Sequence, residues 1–139
     1  MDQKIVKFIK EHHVITLATS KDNIPWSAHC FYAFLKEENA LVFTTDDTTR
    51  HATEMLENQK VSGGIVLETK VVGKIRGVQL TGKVHKLNND SKKKTSSRTE
   101  RSEDPGPDSK LPEKHKGARK AYLRRFPYAV LMKTSLWIL

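Results

Sequence analysis

The sequence predicts a mainly β domain of the α+β class, built as a small antiparallel barrel with two or three short helices. Along most of the 139-residue chain, short runs rich in β-branched and aromatic residues alternate with polar turns. Charged residues are concentrated in one internal segment, residues 88–117, so the rest of the chain is apolar enough to form a core. Short antiparallel strands favour closure into a barrel, because closure removes exposed strand edges.

The first half of the chain predicts one helix and three strands. Apolar residues recur at helical spacing over residues 3–12, and Asp2 precedes them as an N-cap. A β-branched run then predicts a strand over residues 14–19. Two further strands are expected at residues 26–35 and 40–45. Polar turns separate the three strands, so we expect an antiparallel meander.

The second half predicts two helices and three more strands. Polar residues from Asp46 open a helix that extends to about residue 58. Residues 61–67 predict a fourth strand and residues 74–87 a long fifth strand, in which apolar and polar side chains alternate. Residues 118–126 predict a helix that stops before a proline, and residues 135–139 predict a last short strand.

Residues 88–117 are predicted to be a disordered polar insert within a single domain that spans residues 1–139. The segment holds 8 basic and 6 acidic residues, and Leu111 is its only large apolar side chain. Such a segment cannot bury enough apolar surface to offset the entropy lost on ordering.

The net charge of +9 favours negatively charged partners: phosphate-bearing cofactors, nucleic acid or acidic membrane surfaces. Nucleic acid is disfavoured, because basic and acidic residues are interleaved in the insert and no aromatic side chain accompanies them. A membrane partner is not expected, because no apolar run approaches the roughly 18 residues of a spanning helix. Cys30 is the only cysteine, and the N-terminus lacks a signal-peptide core. We therefore expect a cytoplasmic location.

The most informative segment lies where the third strand meets the second helix. Thr44 and Thr45 end the strand, and Thr49, Arg50 and His51 begin the helix. Cations in the first turn of a helix are destabilised by the helix dipole. Two of them at this place therefore indicate that an anion binds between them. The helix start offers free N–H donors to a phosphate, the threonines add hydroxyl groups, and an arginine can bind two phosphate oxygens. This pattern predicts a phosphate site.

The alternative to a phosphate site is a purely structural role for the same segment, in which Asp46 and Asp47 cap the helix and balance the charge of Arg50. His29, in the middle of the second strand, is likewise either a hydrogen-bonded residue of the barrel wall or a contact to a cofactor ring. No metal site is expected, because the histidine pair after the first helix has no acidic or thiol ligand at suitable spacing.

Residues 43–51, Phe-Thr-Thr-Asp-Asp-Thr-Thr-Arg-His, resemble the phosphate-binding turn of pyridoxamine 5′-phosphate oxidase and related FMN-binding split barrels. That family has aromatic-Thr-x-x-x-Ser-Arg-Lys at this place. Thr45 matches its threonine and Thr49 its serine, while Arg50 and His51 match its arginine and lysine.

Three motifs also resemble a little-characterised branch of small bacterial proteins of the same fold. They are Thr-Arg-His at 49–51, Ile-Arg-Gly-Val-Gln-Leu-Thr-Gly at 75–82 and Ala-Arg-Lys-Ala-Tyr-Leu-Arg-Arg-Phe-Pro at 118–127. The resemblance covers the whole chain outside the insert. It implies a split barrel that binds FMN in the groove between the two subunits of a homodimer. The activity it implies is that of a flavin-dependent oxidoreductase, with the substrate left open.

The resemblance also implies where the cofactor would lie. The phosphate would contact the residues at the start of the second helix: Thr44, Thr45, Thr49, Arg50 and His51. The flavin ring would lie against the second strand near Ala28 and His29, and Gln79 is close to the position of a family glutamine.

Two departures from the family pattern support a different function. The oxidase has an arginine and a lysine on the second strand where this chain has His29 and Phe34. These two replacements favour a non-enzymatic dimeric split barrel that has lost FMN and binds another anionic ligand or a protein partner. No residue is identified as a catalytic acid or base.

Overall fold

The computed structural model describes residues 1–87, 115 and 117–139, so the predicted insert lies outside the described residues except for His115 and Gly117. The helices are α1 (Gln3–Glu11), α2 (Arg50–Glu57) and α3 (Ala118–Arg125). The strands are β1 (Val14–Lys21), β2 (Ile24–Leu35), β3 (Ala40–Thr45), β4 (Lys60–Leu67), β5 (Arg76–Lys83), β6 (His85–Leu87) and β7 (Ser135–Ile138). Single 3₁₀ turns cover Val72–Lys74 and Pro127–Leu131.

The strands form one antiparallel sheet in the order β5-β4-β1-β2-β3-β7-β6. The first part of β2 pairs with β1 and its last four residues pair with β3, so this long strand joins the two halves of the sheet. The strands at the two ends of the order, β5 and β6, are separated in the chain only by Val84. The sheet therefore curls back on itself, and the prediction of a mainly β barrel with short helices is confirmed.

The fifth strand was predicted too long, because residues 74–87 contain two strands instead of one. β5 pairs with β4, whereas β6 pairs with β7 on the other half of the sheet. Val84 lies between them with its side chain fully buried, and its N–H donates to the Gln59 carbonyl oxygen at 2.9 Å. The chain changes strand partner here, and the alternation of side chains does not reveal that change.

The β1–β2 hairpin is tighter than the sequence predicted. Asp22 and Asn23 both have positive φ, 52° and 62°, and Lys21 pairs directly with Ile24. A two-residue turn with two left-handed residues matches the twist of the flanking strands. Both strands therefore extend two residues beyond their predicted ends at the hairpin.

The N-terminal helix is confirmed together with its cap. Asp2 accepts a hydrogen bond from the Lys4 N–H at 2.7 Å, and α1 buries Val6 and Ile9. In the part of the chain that the structure describes, no helix has the length and apolar content needed to cross a bilayer.

Two apolar clusters lie on opposite sides of the sheet. The larger fills the barrel, and its fully buried side chains include Tyr32, Phe43 and Trp137. The smaller lies between α3 and strands β2, β3 and β7, with Val42 and Tyr122 among its members. Because side chains alternate along β3, Thr45 points with Phe43 while Thr44 points with Val42. This alternation separates two of the predicted site residues.

Candidate functional site

The turn between β3 and α2, residues 46–49, leaves the start of the helix uncapped. Thr49 precedes α2, but its hydroxyl donates to the Asp46 carbonyl oxygen at 2.8 Å and caps no amide of the first helical turn. The Asp46 carboxylate is occupied by Thr48, through the N–H at 2.8 Å and the hydroxyl at 2.7 Å. The amide groups at the start of α2 are therefore free of side-chain acceptors from this turn.

Asp47 is also directed away from the helix. Its carboxylate accepts hydrogen bonds from Lys86 Nζ and Ser135 Oγ, both at 2.7 Å. These contacts, led by Lys86, hold its pKa below the usual value. The structural explanation, in which Asp46 and Asp47 cap α2 and balance Arg50, is therefore wrong.

Three predicted residues meet at the start of α2, and we call them the hydroxyl–imidazole cluster: Thr45, Thr49 and His51. Thr45 Oγ1 lies 2.6 Å from His51 Nε2 and 3.1 Å from Thr49 Oγ1. Thr49 Oγ1 lies 3.4 Å from the same imidazole nitrogen. Two hydroxyl groups and one imidazole thus share a small space beside uncapped helix amides.

His51 is held in its neutral form near pH 7. Burial lowers the pKa of the imidazole below its ordinary value, and the nearby Glu54 carboxylate acts in the opposite direction. An anion bound in the cluster would favour protonation and so raise this pKa. The cluster can therefore donate hydrogen bonds to phosphate oxygens and gain a positive charge when it does so.

Arg50 does not join the cluster. Its Nε donates to Glu54 Oε1 at 2.7 Å, and its Cζ lies 4.3 Å from the centre of the Trp26 ring. The Glu54 side chain is buried, and its other oxygen accepts a hydrogen bond from the Thr19 hydroxyl at 2.5 Å. These two hydrogen bonds, that of Thr19 first, hold the pKa of Glu54 below its usual range.

Thr44 is likewise separated from the cluster. Its hydroxyl donates to the Tyr122 hydroxyl at 3.0 Å, on the α3 side of the sheet. A cavity of about 290 Å³ lies there, bounded by α3, the segment before β7 and the side chain of Asp47.

Of the remaining predicted residues, His29 and Gln79 lie in one row across four strands. His29 on β2 is paired with Thr16 on β1, Thr16 with Gly64 on β4, and Gly64 with Gln79 on β5. Thr16 Oγ1 lies 3.1 Å from His29 Nδ1. We call this side of the sheet the outer face. Ala28 is paired with the buried Leu17 and therefore faces the barrel side.

Two shallow grooves, of about 460 and 530 Å³, run along the outer face and share Thr16, Gly64 and Gln79. A Cβ added to Gly64 would have no neighbour within 4 Å, so the glycine leaves the floor of the groove open. Phe34 packs against the barrel core and is not part of this face.

The family profile of pyridoxamine 5′-phosphate oxidase matches residues 1–129. The chain belongs to this family. A UPF0306 protein from Photorhabdus laumondii is 33% identical over 135 residues that cover 97% of this chain and 78% of that protein. A UPF0306 protein from Pasteurella multocida is 39% identical over 87 residues, which cover 63% of this chain. The match spans 58% of the Pasteurella protein's length.

Solved structures show the same split-barrel fold. HutZ, described as a heme storage protein from Vibrio cholerae, superposes with a TM-score of 0.70 at 15% identity. The superposition covers 98% of this chain and 86% of HutZ. An FAD-binding protein from Mesorhizobium loti gives a TM-score of 0.65 at 15% identity, covering 97% of this chain and 83% of that protein. At these identities the likeness establishes the fold.

The sequence did not single out Glu54, Thr19 or Thr16 as site residues. The spacing of Arg50 and Glu54, four residues apart on one helix, was the available signal for their ion pair. Thr19 and Thr16 lie on a strand remote in sequence from α2 and β5. The packing of α2 against β1 brings Thr19 to Glu54, and the sheet register brings Thr16 to His29 and Gly64.

Proposed function

We propose that this chain binds FMN, with the phosphate at the hydroxyl–imidazole cluster of Thr45, Thr49 and His51. The observation that carries the proposal is the combination of this cluster with the uncapped start of α2. Hydroxyl, imidazole and backbone N–H donors converge there, which is the set that a phosphate monoester dianion requires.

The outer face is the proposed surface for the flavin ring. It is open at Gly64 and carries two polar side chains, His29 and Gln79, that can donate to or accept from ring heteroatoms. Ala28 and Thr44 would contribute main-chain groups only, because their side chains face the barrel side and α3. Arg50 is engaged by Glu54 through Nε, so it would bind the phosphate in competition with that carboxylate.

Bound FMN would supply the redox chemistry, which supports the proposal of a flavin-dependent oxidoreductase with an undefined substrate. The protein's part is to hold the phosphate at α2 and to present the ring on an open face. No side chain is assigned a proton-transfer role.

We also propose that two copies pair through the outer face. Small side chains, Ala18 and Ser62 among them, lie beside the groove, and a flat surface of this kind allows close approach of a second sheet. Phe31 and Ile75, 56% and 66% exposed, add apolar area. Sedimentation velocity tests this directly: Ser62→Arg should convert a dimer into a monomer, and a wild-type monomer would contradict the pairing.

The test of FMN binding compares FMN with riboflavin by fluorescence titration. Thr45→Val keeps the side-chain shape but removes a hydroxyl, and we expect it to weaken FMN about tenfold while leaving riboflavin unchanged. Thr53→Val is the matched control, because its hydroxyl donates only to the Arg50 carbonyl oxygen. Equal affinity of the wild type for FMN and riboflavin would refute a phosphate site.

A second candidate is the binding of heme, an anionic ligand of a different kind, by a non-enzymatic barrel. It rests on His29, which is exposed on the outer face with its Nδ1 held by Thr16. The other ring nitrogen has no hydrogen-bond partner among the described residues, so it is free to act as an axial ligand. A Soret band that appears with hemin and is lost in His29→Ala would favour this function, whereas a spectrum of free hemin would dismiss it.

A further inference from the structure

Arg50 is the residue of the proposed phosphate site whose position is hardest to reconcile with binding an anion. The hydroxyl–imidazole cluster lies at the N-terminal end of α2. Arg50, the first residue of the helix, donates instead to Glu54, which follows one turn later. Side chains on a helix lean toward its N-terminus, so the Glu54 carboxylate reaches back to the first turn and engages the guanidinium there.

Two partners hold the guanidinium in that position. Glu54 binds it through Nε alone at 2.7 Å, and the Trp26 ring lies 4.3 Å from its Cζ. Glu54 is itself fixed by Thr19 at 2.5 Å. The two terminal nitrogens of Arg50 make no hydrogen bond within the described residues, and the side chain is 47% exposed.

We propose that Glu54 is a positioning residue, which holds the Arg50 guanidinium in the resting state so that an anion at the helix start must compete with the Glu54 carboxylate to recruit it. This inference rests on the proposed phosphate site. A phosphate monoester dianion can compete with the Glu54 carboxylate for the guanidinium, whereas a singly charged anion matches it only in charge. The Trp26 ring stacks on the Arg50 guanidinium in this resting position, so the fluorescence of Trp26 depends on whether Arg50 is there.

The physical basis is competition between two states of one side chain. An anion shifts Arg50 from Glu54 to the cluster only by as much as it prefers the second arrangement. The contact with Glu54 therefore lowers the affinity for every anion that recruits Arg50, whereas an anion too weakly charged to recruit it binds without the guanidinium and loses nothing. Removing the charge of Glu54 while keeping its shape should release Arg50 and strengthen the binding of anions that recruit it.

The experiment measures FMN affinity in Glu54→Gln, with Glu57→Gln as the matched control. Glu57 is on the same helix, carries the same charge and pairs with Lys21 at 2.8 Å. We expect Glu54→Gln to bind FMN roughly three- to tenfold more tightly than the wild type, and Glu57→Gln to be unchanged. Unchanged or weaker binding by Glu54→Gln overturns the inference.

A second measurement uses the wild-type protein and needs no change at Glu54. Titration with inorganic phosphate should alter the emission of Trp26 as Arg50 leaves its ring, and the change should vanish in both Trp26→Phe and Arg50→Ala. Tryptophan emission that does not respond to phosphate overturns the inference.

The two proposals fail separately. FMN binding without any change at Trp26 on adding phosphate would leave the cofactor proposal standing and remove the role of Glu54. A wild type that binds no FMN, but binds inorganic phosphate more tightly after Glu54→Gln, would remove the cofactor proposal and keep the role of Glu54.

Discussion

The start of α2 and the outer face of the barrel are two candidate binding surfaces that are built in different ways. The cluster at α2 comes from seven consecutive positions, residues 45–51, held by a single turn. The outer face needs four strands, because Thr16, His29, Gly64 and Gln79 come from β1, β2, β4 and β5. The first surface is dense in hydrogen-bond donors, whereas the second is open and shallow. Under the proposed function, the first surface would hold the phosphate and the second the planar ring.

The largest expected effect comes from removing the donors of the first surface. Thr45→Val combined with Thr49→Val should weaken FMN about a hundredfold, because two hydrogen bonds to a charged group are lost. Riboflavin, which has no phosphate, should bind as before. On the outer face, Thr16→Val should affect both ligands equally and by no more than about threefold. The measurement is a titration of each variant with FMN and with riboflavin. Weaker riboflavin binding by the double variant would contradict the assignment of the phosphate to the cluster and of the ring to the outer face.

A pair of glycines tests the outer face on its own. In Gly77→Val a Cβ would lie 3.0 Å from the Ile65 carbonyl oxygen, so we expect a loss of about 2 kcal/mol in the free energy of unfolding. Gly64→Val should change stability by no more than about 0.5 kcal/mol, because a Cβ there has no neighbour within 4 Å. Urea denaturation measures the free energy of unfolding of both variants. Only Gly64→Val is expected to fill the groove in a stable fold and weaken riboflavin and FMN alike.

The pH dependence of the two surfaces should also differ. Burial places the pKa of His51 below its ordinary value, so the folded state disfavours the proton and loses stability as pH falls below about 6.5. A bound anion raises this pKa, so FMN should bind more tightly at pH 5.5 than at pH 7.5, by about threefold relative to His51→Gln. The comparison with His51→Gln removes the contribution of the phosphate's own second pKa near 6.

Nuclear magnetic resonance of the imidazole signals provides the measurement. The His51 signal should titrate at higher pH when FMN is present than when it is absent. An unchanged His51 titration on adding FMN would show that the phosphate does not bind at the cluster.

The smallest effect is expected where the turn is fixed to the sheet. Asp47→Asn removes a charge that is bound by Lys86 and Ser135, but the group is largely solvated. We expect a loss of about 0.5 kcal/mol or less in the free energy of unfolding, measured by thermal denaturation. The loss should disappear as pH falls below about 4, because the pKa of Asp47 is lowered in the folded state and its contribution requires the carboxylate. A larger loss would mean that this contact organises the whole turn.

Local order along the chain was predictable to a large extent. The N-cap at Asp2, the meander of the first three strands and the stop of the third helix before Pro127 follow from neighbouring residues and were confirmed. The strand over residues 74–87 was predicted as one, because alternation along the chain continues through Val84 while the pairing partner changes. Alternation reports the two faces of a strand and says nothing about which strand lies beside it.

The sequence alone predicted the barrel class from its pattern of short strands and polar turns. It also determined the helices and the meeting of Thr45, Thr49 and His51, because these depend on residues within a few positions of one another. Only the tertiary structure decided that Thr44 turns to Tyr122 and that Arg50 turns to Glu54 and Trp26. It also decided that His29 and Gln79 lie in one row. These outcomes depend on strand register and on a buried carboxylate held by Thr19, which residues near in sequence do not specify.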